Sequence, residues 1–383
     1  MRNRLPLFYV ATVLFWFSLY AYVPYVTPYA ETMGANLRLI GLIAGAYGFT
    51  QMILRFPLGI FSDILRKRKV FMLLGILAAA VSGFLVFFFP SPYTLLLARA
   101  LGGVAASSWV TISILGASYY PPSETIKSVG FLNMVNSIGR MTALLAGGLV
   151  ALWLGVPYAF LLGGLAGFAS LILGFGVIEK KPDAEQTPPQ LKDLFSIAGD
   201  RHLLWASFLG ILIQHISFAT TFGFTPLAAV QLHASQFQLG ILGVVSTFPG
   251  LIISPLAGTV LPRKLGIKCT LCIGFGLTGL ASALTPFCSA LWQLFVIQVI
   301  GAVGYAAVFT ILMGLCIRDV TNERRATAMG FFQAVYSLGM FLGPFTMGWI
   351  SYGLGLGPAF IITGGVGLIG IFAVVIFKER KVV

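Results

Sequence analysis

Charge is what this sequence has least of. Asp, Glu, Lys and Arg make up 9% of its 383 residues, and only eleven residues are acidic. A soluble domain has to cover its surface with polar groups, so a hydrophobic fraction of 58% excludes one. Cysteine is also scarce. Cys269 and Cys272 form a C-x-x-C, but no second pair or histidine lies near them, so neither a zinc site nor a redox site is expected. With Cys288 and Cys316 they read as small apolar packing residues. No G-x-x-x-x-G-K-[ST] string occurs, which argues against direct ATP drive. Nor is there the carboxylate or histidine grouping that a membrane-embedded lipid-modifying enzyme would need at the water interface, and no metal or cofactor is expected. The net charge of +13 does not point to nucleic acid, because no basic stripe with interleaved aromatics falls on a soluble element.

Long apolar runs are present instead. Twelve segments are long enough to cross a hydrocarbon core of about 30 Å as helices. They run at about 7–29, 39–61, 70–89, 93–117, 128–151, 157–177, 203–227, 237–261, 269–287, 291–316, 327–351 and 357–377. Helix is forced, because lipid offers backbone groups no partner and the alternating strands of a barrel are missing. Twenty of the 24 Lys and Arg residues fall on one side of these spans if the N-terminus is inside, and the outer loops hold only Arg38. The positive-inside rule therefore places both termini and the 179–202 linker in the cytoplasm of a cell membrane. The first apolar stretch has no small-residue cleavage site, so it is expected to remain as a span.

Residues 130–167 recur as 330–367 at an offset of 200. Gly130, Ser137, Gly139, Gly148, Gly155 and Gly167 face Gly330, Ser337, Gly339, Gly348, Gly355 and Gly367. Upstream, at offsets of 198 to 199, Thr27-Pro28 pairs with Thr225-Pro226 and Gly41 with Gly240. The chain is two copies of one unit, which predicts six-helix bundles at 1–178 and 203–383 joined by a cytoplasmic linker at 179–202.

Two strings carry a family resemblance. Gly59-Ile60-Phe61-Ser62-Asp63-Ile64-Leu65-Arg66-Lys67-Arg68-Lys69, between the second and third spans, resembles the signature loop of the major facilitator superfamily, with Arg66 where that family usually has a second glycine. Ala98-Arg99-Ala100-Leu101-Gly102-Gly103 resembles the family's span-four arginine motif, with Gly102 where a polar residue is common. The Gly-Pro of the antiporter branch is replaced in span five by Ala143-Leu144 and occurs instead at Gly343-Pro344. The resemblance covers the whole chain. It implies an all-α membrane protein of twelve transmembrane helices in two pseudo-symmetric six-helix bundles. Gly59, Asp63, Arg66, Lys67, Arg68 and Lys69, with Arg55 close by, would then form a two-state conformational latch.

Three arginines, Arg55, Arg99 and Arg140, lie inside spans, where even low insertion scales charge about 2.5–3.5 kcal/mol for a central cation. No Asp or Glu falls inside any span as bounded above, with Glu31 assigned to the outer loop. An anionic substrate would supply the missing counter-charge. Asn133, Asn136 and Arg140 recur at helical spacing and predict a polar stripe, in which the planar guanidinium suits a carboxylate or phosphate. Arg99, Trp16 and Tyr20 complete the first-half candidates; Gln214, Gln298, Gln333 and Tyr336 are those of the second half. His215 is the candidate for proton coupling.

The expectation is a monomeric secondary transporter in the lipid bilayer, moving a small organic anion or amphipathic molecule by alternating access. Protons are candidate coupling ions, and nucleic acid is not a partner. Proton-driven multidrug efflux is the alternative within transport, favoured by the aromatic first span.

Overall fold

The computed structural model describes residues 5–65, 67–120, 125–179, 200–318, 320 and 325–376. Among the described residues twelve helical spans are found, close to those expected: Leu5–Thr32, Leu37–Ser62, Arg68–Phe88, Pro92–Ala117, Gly130–Trp153, Val156–Phe175, Arg201–Gln231, Gln236–Thr259, Ile267–Phe287, Leu291–Arg318, Thr327–Leu354 and Leu356–Ile376. They are numbered spans 1 to 12 below. No strand occurs among the described residues. Residues 180–199, nearly all of the expected 179–202 linker, lie outside the described residues.

The spans are not all continuous. Span 1 breaks after Tyr20 into a short 3-10 turn, Val23–Tyr25, before Val26–Thr32 resumes the helix. Span 7 breaks at the equivalent place in a π-helical turn, Thr220–Phe224, before Thr225–Gln231. Proline explains the recurrence: Pro24 and Pro28 in the first copy and Pro226 in the second cannot donate to the preceding turn. Because span 1 resumes after its break, Glu31 lies in the last helical turn rather than in a loop, and it is exposed. Helix geometry thus corrects its expected position.

Lipid tails are as apolar as leucine, so helices here associate through close packing rather than through escape from water. The duplicated glycines supply that packing twice. A Cβ on Gly139 would sit 2.6 Å from the Val13 carbonyl oxygen. Gly339, its copy, presses on the carbonyl oxygen of Ile211 in the same way. Gly41 and Gly240 form a second equivalent pair. A Cβ on Gly41 would lie 2.5 Å from the Pro344 carbonyl oxygen and 2.9 Å from Gly348 Cα; one on Gly240 would lie 2.5 Å from the Leu144 oxygen and 3.1 Å from Gly148 Cα. Gly155 and Gly355, which start spans 6 and 12, hold φ of +102° and +90°, a turn that side chains disfavour.

Polar side chains in the spans are largely satisfied within their own helices. Thr12 donates to the Phe8 oxygen at 2.8 Å, Thr220 to Ile216 at 2.7 Å and Thr278 to Gly274 at 2.8 Å. This back-bonding keeps hydroxyls tolerable in hydrocarbon.

The chain divides into two compact units. One comprises 1–35, 46–190 and 235–244; the other comprises 36–45, 191–234 and 245–383. Two short segments, 36–45 and 235–244, which contain Gly41 and Gly240, each belong to the unit that holds most of the other half of the chain. The backbone contacts just described are the physical reason: each glycine lets its segment close onto the other copy's glycine-bearing helix. In the second unit, Arg38 adds a cation–π contact, its guanidinium lying 4.2 Å from the Trp349 ring centre and 4.0 Å from that of Tyr352.

Candidate functional site

The first unit gathers cations and aromatic rings. Tyr47, Gln51 and Arg55 stand four residues apart on span 2, so all three project from one helical face. All three are buried. The Tyr47 hydroxyl is within electrostatic range of Arg55, Arg99, Arg140 and Tyr20. The Arg99 guanidinium lies 4.6 Å from the centre of the Tyr47 ring, and that of Arg140 lies 4.4 Å from the centre of Tyr20. Trp16 packs beside Tyr20 at 6.0 Å and edge-on to Trp109 at 5.2 Å. Spans 1, 2, 4 and 5 thus contribute to one continuous arginine–aromatic group.

Its polar atoms are incompletely matched. Arg99 is 5% exposed and Trp16 is 6% exposed. Arg99 Nε, Trp16 Nε1, Arg140 Nε and Asn136 Oδ1 are nevertheless buried without a hydrogen-bond partner among the described residues. A buried donor left unpaired costs about 1–3 kcal/mol. Three orphaned donors in one group are what a ligand with acceptor oxygens would satisfy.

Helix packing holds the group in place. Gly139 on span 5 lies against Val13 and the Cβ of Trp16, which brings Arg140 to the Tyr20 face of span 1. On span 4, Gly102 keeps room open: a Cβ there would meet only Tyr47 Cδ2 at 3.6 Å, Leu19 Cδ2 at 3.7 Å and the Tyr22 hydroxyl at 4.0 Å. Tyr22 is fixed by its bond to Ser82, 2.9 Å, and by stacking on Phe160 at 4.7 Å.

The second unit builds a neutral group from spans 7, 8, 10 and 11. The Tyr305 hydroxyl donates to Gln214 Oε1 at 3.3 Å, and Gln298 Oε1 accepts from Thr221 at 3.2 Å and Ser246 at 3.4 Å. Phe309 stacks on Tyr305 at 5.4 Å and meets Tyr336 edge-on, also at 5.4 Å. His215 points elsewhere. Its Nε2 lies 3.4 Å from the Thr346 hydroxyl, which itself donates to the Leu342 oxygen at 2.7 Å.

The structure therefore brings Arg140, Arg99, Arg55, Trp16 and Tyr20 together, with Asn136 one turn from Arg140. Gln214, Gln298 and Tyr336 fall in the neutral group. Asn133 is exposed, and its carbonyl oxygen accepts from the Ser137 hydroxyl at 2.9 Å; the Gln333 oxygen accepts from Ser337 at 2.7 Å. Among the described residues neither side chain bonds to either group. Tyr47, Trp109, Tyr305 and Phe309 join these groups without having been among the sequence candidates. The four-residue spacing from Tyr47 through Gln51 to Arg55 was a usable signal for the first of them.

Of the latch residues, Arg66 and the side chain of Asp63 lie outside the described residues. Gly59 is loosely surrounded, its nearest neighbour being Val110 Cγ1 at 3.8 Å from a built Cβ. The other end of the loop is braced by Glu179, whose carboxylate accepts the Arg68 amide at 2.6 Å and the Lys69 amide at 3.1 Å. Lys69 Nζ donates to the Phe175 oxygen at 2.8 Å. An anion thus sits at the N-terminus of span 3 and a cation at the C-terminus of span 6, each complementing a helix dipole. The Tyr119 hydroxyl donates to the Ile178 oxygen at 2.6 Å beside them, and burial, with the Glu179 charge adding to it, holds its phenol above the ordinary value.

Twelve apolar helices from a duplicated unit, with polar side chains gathered at depth, define a multi-pass membrane carrier. A model of the Major Facilitator Superfamily matches residues 8–266 and 207–383, and the chain belongs to that superfamily. It is 25% identical over 344 residues to MJ1560, an uncharacterized MFS-type transporter of Methanocaldococcus jannaschii, with 87% of each chain covered. It is 24% identical over 343 residues to the inner membrane transport protein YajR of Escherichia coli, covering 87% of this chain and 74% of that protein. A bacterial homologue of the human lysosomal transporter Spinster, solved in an inward-facing and unoccupied conformation, superposes with a TM-score of 0.80. That match has 16% identity over 97% of this chain and 96% of the other. The protein is a membrane transporter of small molecules, not an enzyme.

Proposed function

We propose that this protein is a secondary transporter that carries a small organic anion across a cell membrane by alternating access, with both termini in the cytoplasm. One observation carries the reading: Arg99 and Arg140 sit deep in their spans, each laid on a tyrosine ring, with Nε groups that bond to no described residue. A guanidinium presents donors in a planar fork that matches a carboxylate or phosphate. Trp16 Nε1 offers a further donor beside them, and the rings of Trp16, Tyr20 and Trp109 suit a flat apolar body. Residues 1–178 and 203–383 are the two moving halves in this reading.

The same aromatic lining supports a second reading, efflux of amphipathic molecules. Proton coupling would run through His215, the one histidine well inside a span. Purified protein in liposomes, offered labelled benzoate, succinate, inorganic phosphate and a lipophilic cation under an imposed pH gradient, separates the readings. Uptake of an anion that Arg140→Gln slows by about 10- to 100-fold is the expected result. Movement of the cation alone, indifferent to Arg140→Gln, would replace the anion reading with efflux.

A further inference from the structure

We infer that the carrier is an obligatory exchanger: it changes sides only with an anion bound, so one anion enters for each that leaves. This rests on the anion reading above and goes beyond it to the mode of transport.

The ground is a missing counter-charge. Arg99 and Arg140 have aromatic faces as partners but form no ion pair among the described residues, and their Nε atoms are unbonded. Of the eleven acidic residues in the chain, only Glu31 falls within the bounds of a span. It stands exposed in the last turn of span 1, whereas Arg99 and Arg140 lie well inside spans 4 and 5. Protonation cannot repair the imbalance either. His215 carries positive charge or none, and it is directed at Thr346.

Any alternating-access carrier passes through a state in which its site faces neither solution and holds little water. For an empty site, that state would enclose two guanidinium charges offset only by ring quadrupoles, which is a poor trade for lost hydration. With an anion bound, the same state is close to neutral and the orphaned donors are bonded. The loaded carrier therefore crosses readily and the empty one does not. A second anion, taken up on the far side, is needed to bring the site back.

Gly102 offers the corresponding test. It lies three residues from Arg99, one helical turn away, and a side chain there would begin at ordinary contact distances from Tyr47, Leu19 and Tyr22. Gly102→Asp would supply the missing carboxylate within the membrane.

The experiment uses the full chain in liposomes with the membrane potential clamped, and labelled benzoate, succinate and inorganic phosphate as probes. The expected result is uptake at least 10-fold faster into vesicles loaded with the same unlabelled anion than into empty ones. Equal rates in loaded and empty vesicles would overturn exchange and leave the anion carrier standing. If no probe enters either kind of vesicle and none raises the thermal midpoint of the purified protein, the anion reading falls and exchange falls with it. Gly102→Asp is expected to bring the ratio of loaded to empty rates down at least 5-fold by speeding net uptake. Should Gly102→Asp fail to fold, Asn136→Asp places the carboxylate one turn from Arg140 instead. A folded carboxylate variant that exchanges with its ratio unchanged would overturn the charge argument.

Discussion

The two buried polar groups of this protein descend from one ancestral unit yet solve opposite problems. The second-unit group is neutral and closed on itself: Gln298 accepts from Thr221 and Ser246, and Gln214 accepts from Tyr305. The first-unit group is cationic and open, with Arg99 and Arg140 stacked on tyrosines and their Nε atoms unbonded. At equivalent positions Arg140 faces Met340 and Arg99 faces Gln298. Packing was retained in both copies while charge was concentrated in one. A duplicated scaffold can therefore hold an asymmetric site, because glycine contacts set the helix spacing and leave the remaining faces free to diverge.

The sharpest way to break this comparison is to remove charge from one group and neutral bonds from the other. Arg140→Gln or Arg99→Gln is expected to slow exchange of a probe anion by about 10- to 100-fold, the range for losing a charged hydrogen bond. Gln298→Ala should cost about 2- to 10-fold, as a neutral bond does. Rates measured side by side decide it, and equal losses would dissolve the distinction between the groups.

A second comparison concerns what the copies share. Gly41→Leu and Gly240→Leu each drive a side chain into a backbone, at Pro344 and Gly348 in one case and at Leu144 and Gly148 in the other. Overpacking of this kind costs about 1–3 kcal/mol. Thermal midpoints in detergent should fall by similar amounts for both. A large inequality would show that the two contacts are equivalent in geometry alone.

Smaller effects are expected away from both groups. Glu179→Gln keeps one of the two acceptor oxygens, turns an amide donor toward the other backbone N–H and removes the charge from the N-terminus of span 3, a loss of about 0.5–1.5 kcal/mol seen as a small drop in thermal midpoint. Since Glu179 belongs to the first unit alone, exchange kinetics should stay near the parent's. His215→Gln is the mildest. With its ring bonded to Thr346 rather than set among the arginines, exchange at pH 6 and pH 8 should remain within about 2-fold of the parent, because a neutral hydrogen bond contributes little. A collapse of pH-gradient drive in this variant would restore His215 to the mechanism.

Much of this is legible in the sequence. Apolar run length located all twelve spans to within a few residues, because a hydrocarbon core leaves helix as the available backbone solution. The rarity of charge picked out Arg55, Arg99 and Arg140, since a cation in lipid is costly enough to need a reason. What escaped were the uncharged partners. Tyr47, Trp109, Tyr305 and Phe309 look like ordinary apolar-span aromatics in a chain with 14% aromatic residues. Asn133 and Gln333 show the other side of this: their polarity and spacing mark them in the sequence, and in the fold it is their backbone oxygens that accept bonds, from Ser137 and Ser337.

By itself, then, the sequence determined the solvent, the number of spans, the duplication and the scarcity of acid available to balance buried arginines. These follow from composition and period, which act along the chain. Only the tertiary structure decided which arginine lies on which tyrosine, that Gln214 and Gln298 are closed off by their own neighbours, and that His215 turns to Thr346. Those outcomes depend on how helices from distant parts of the chain rotate as their glycines bring backbones into contact, and no single span contains that information.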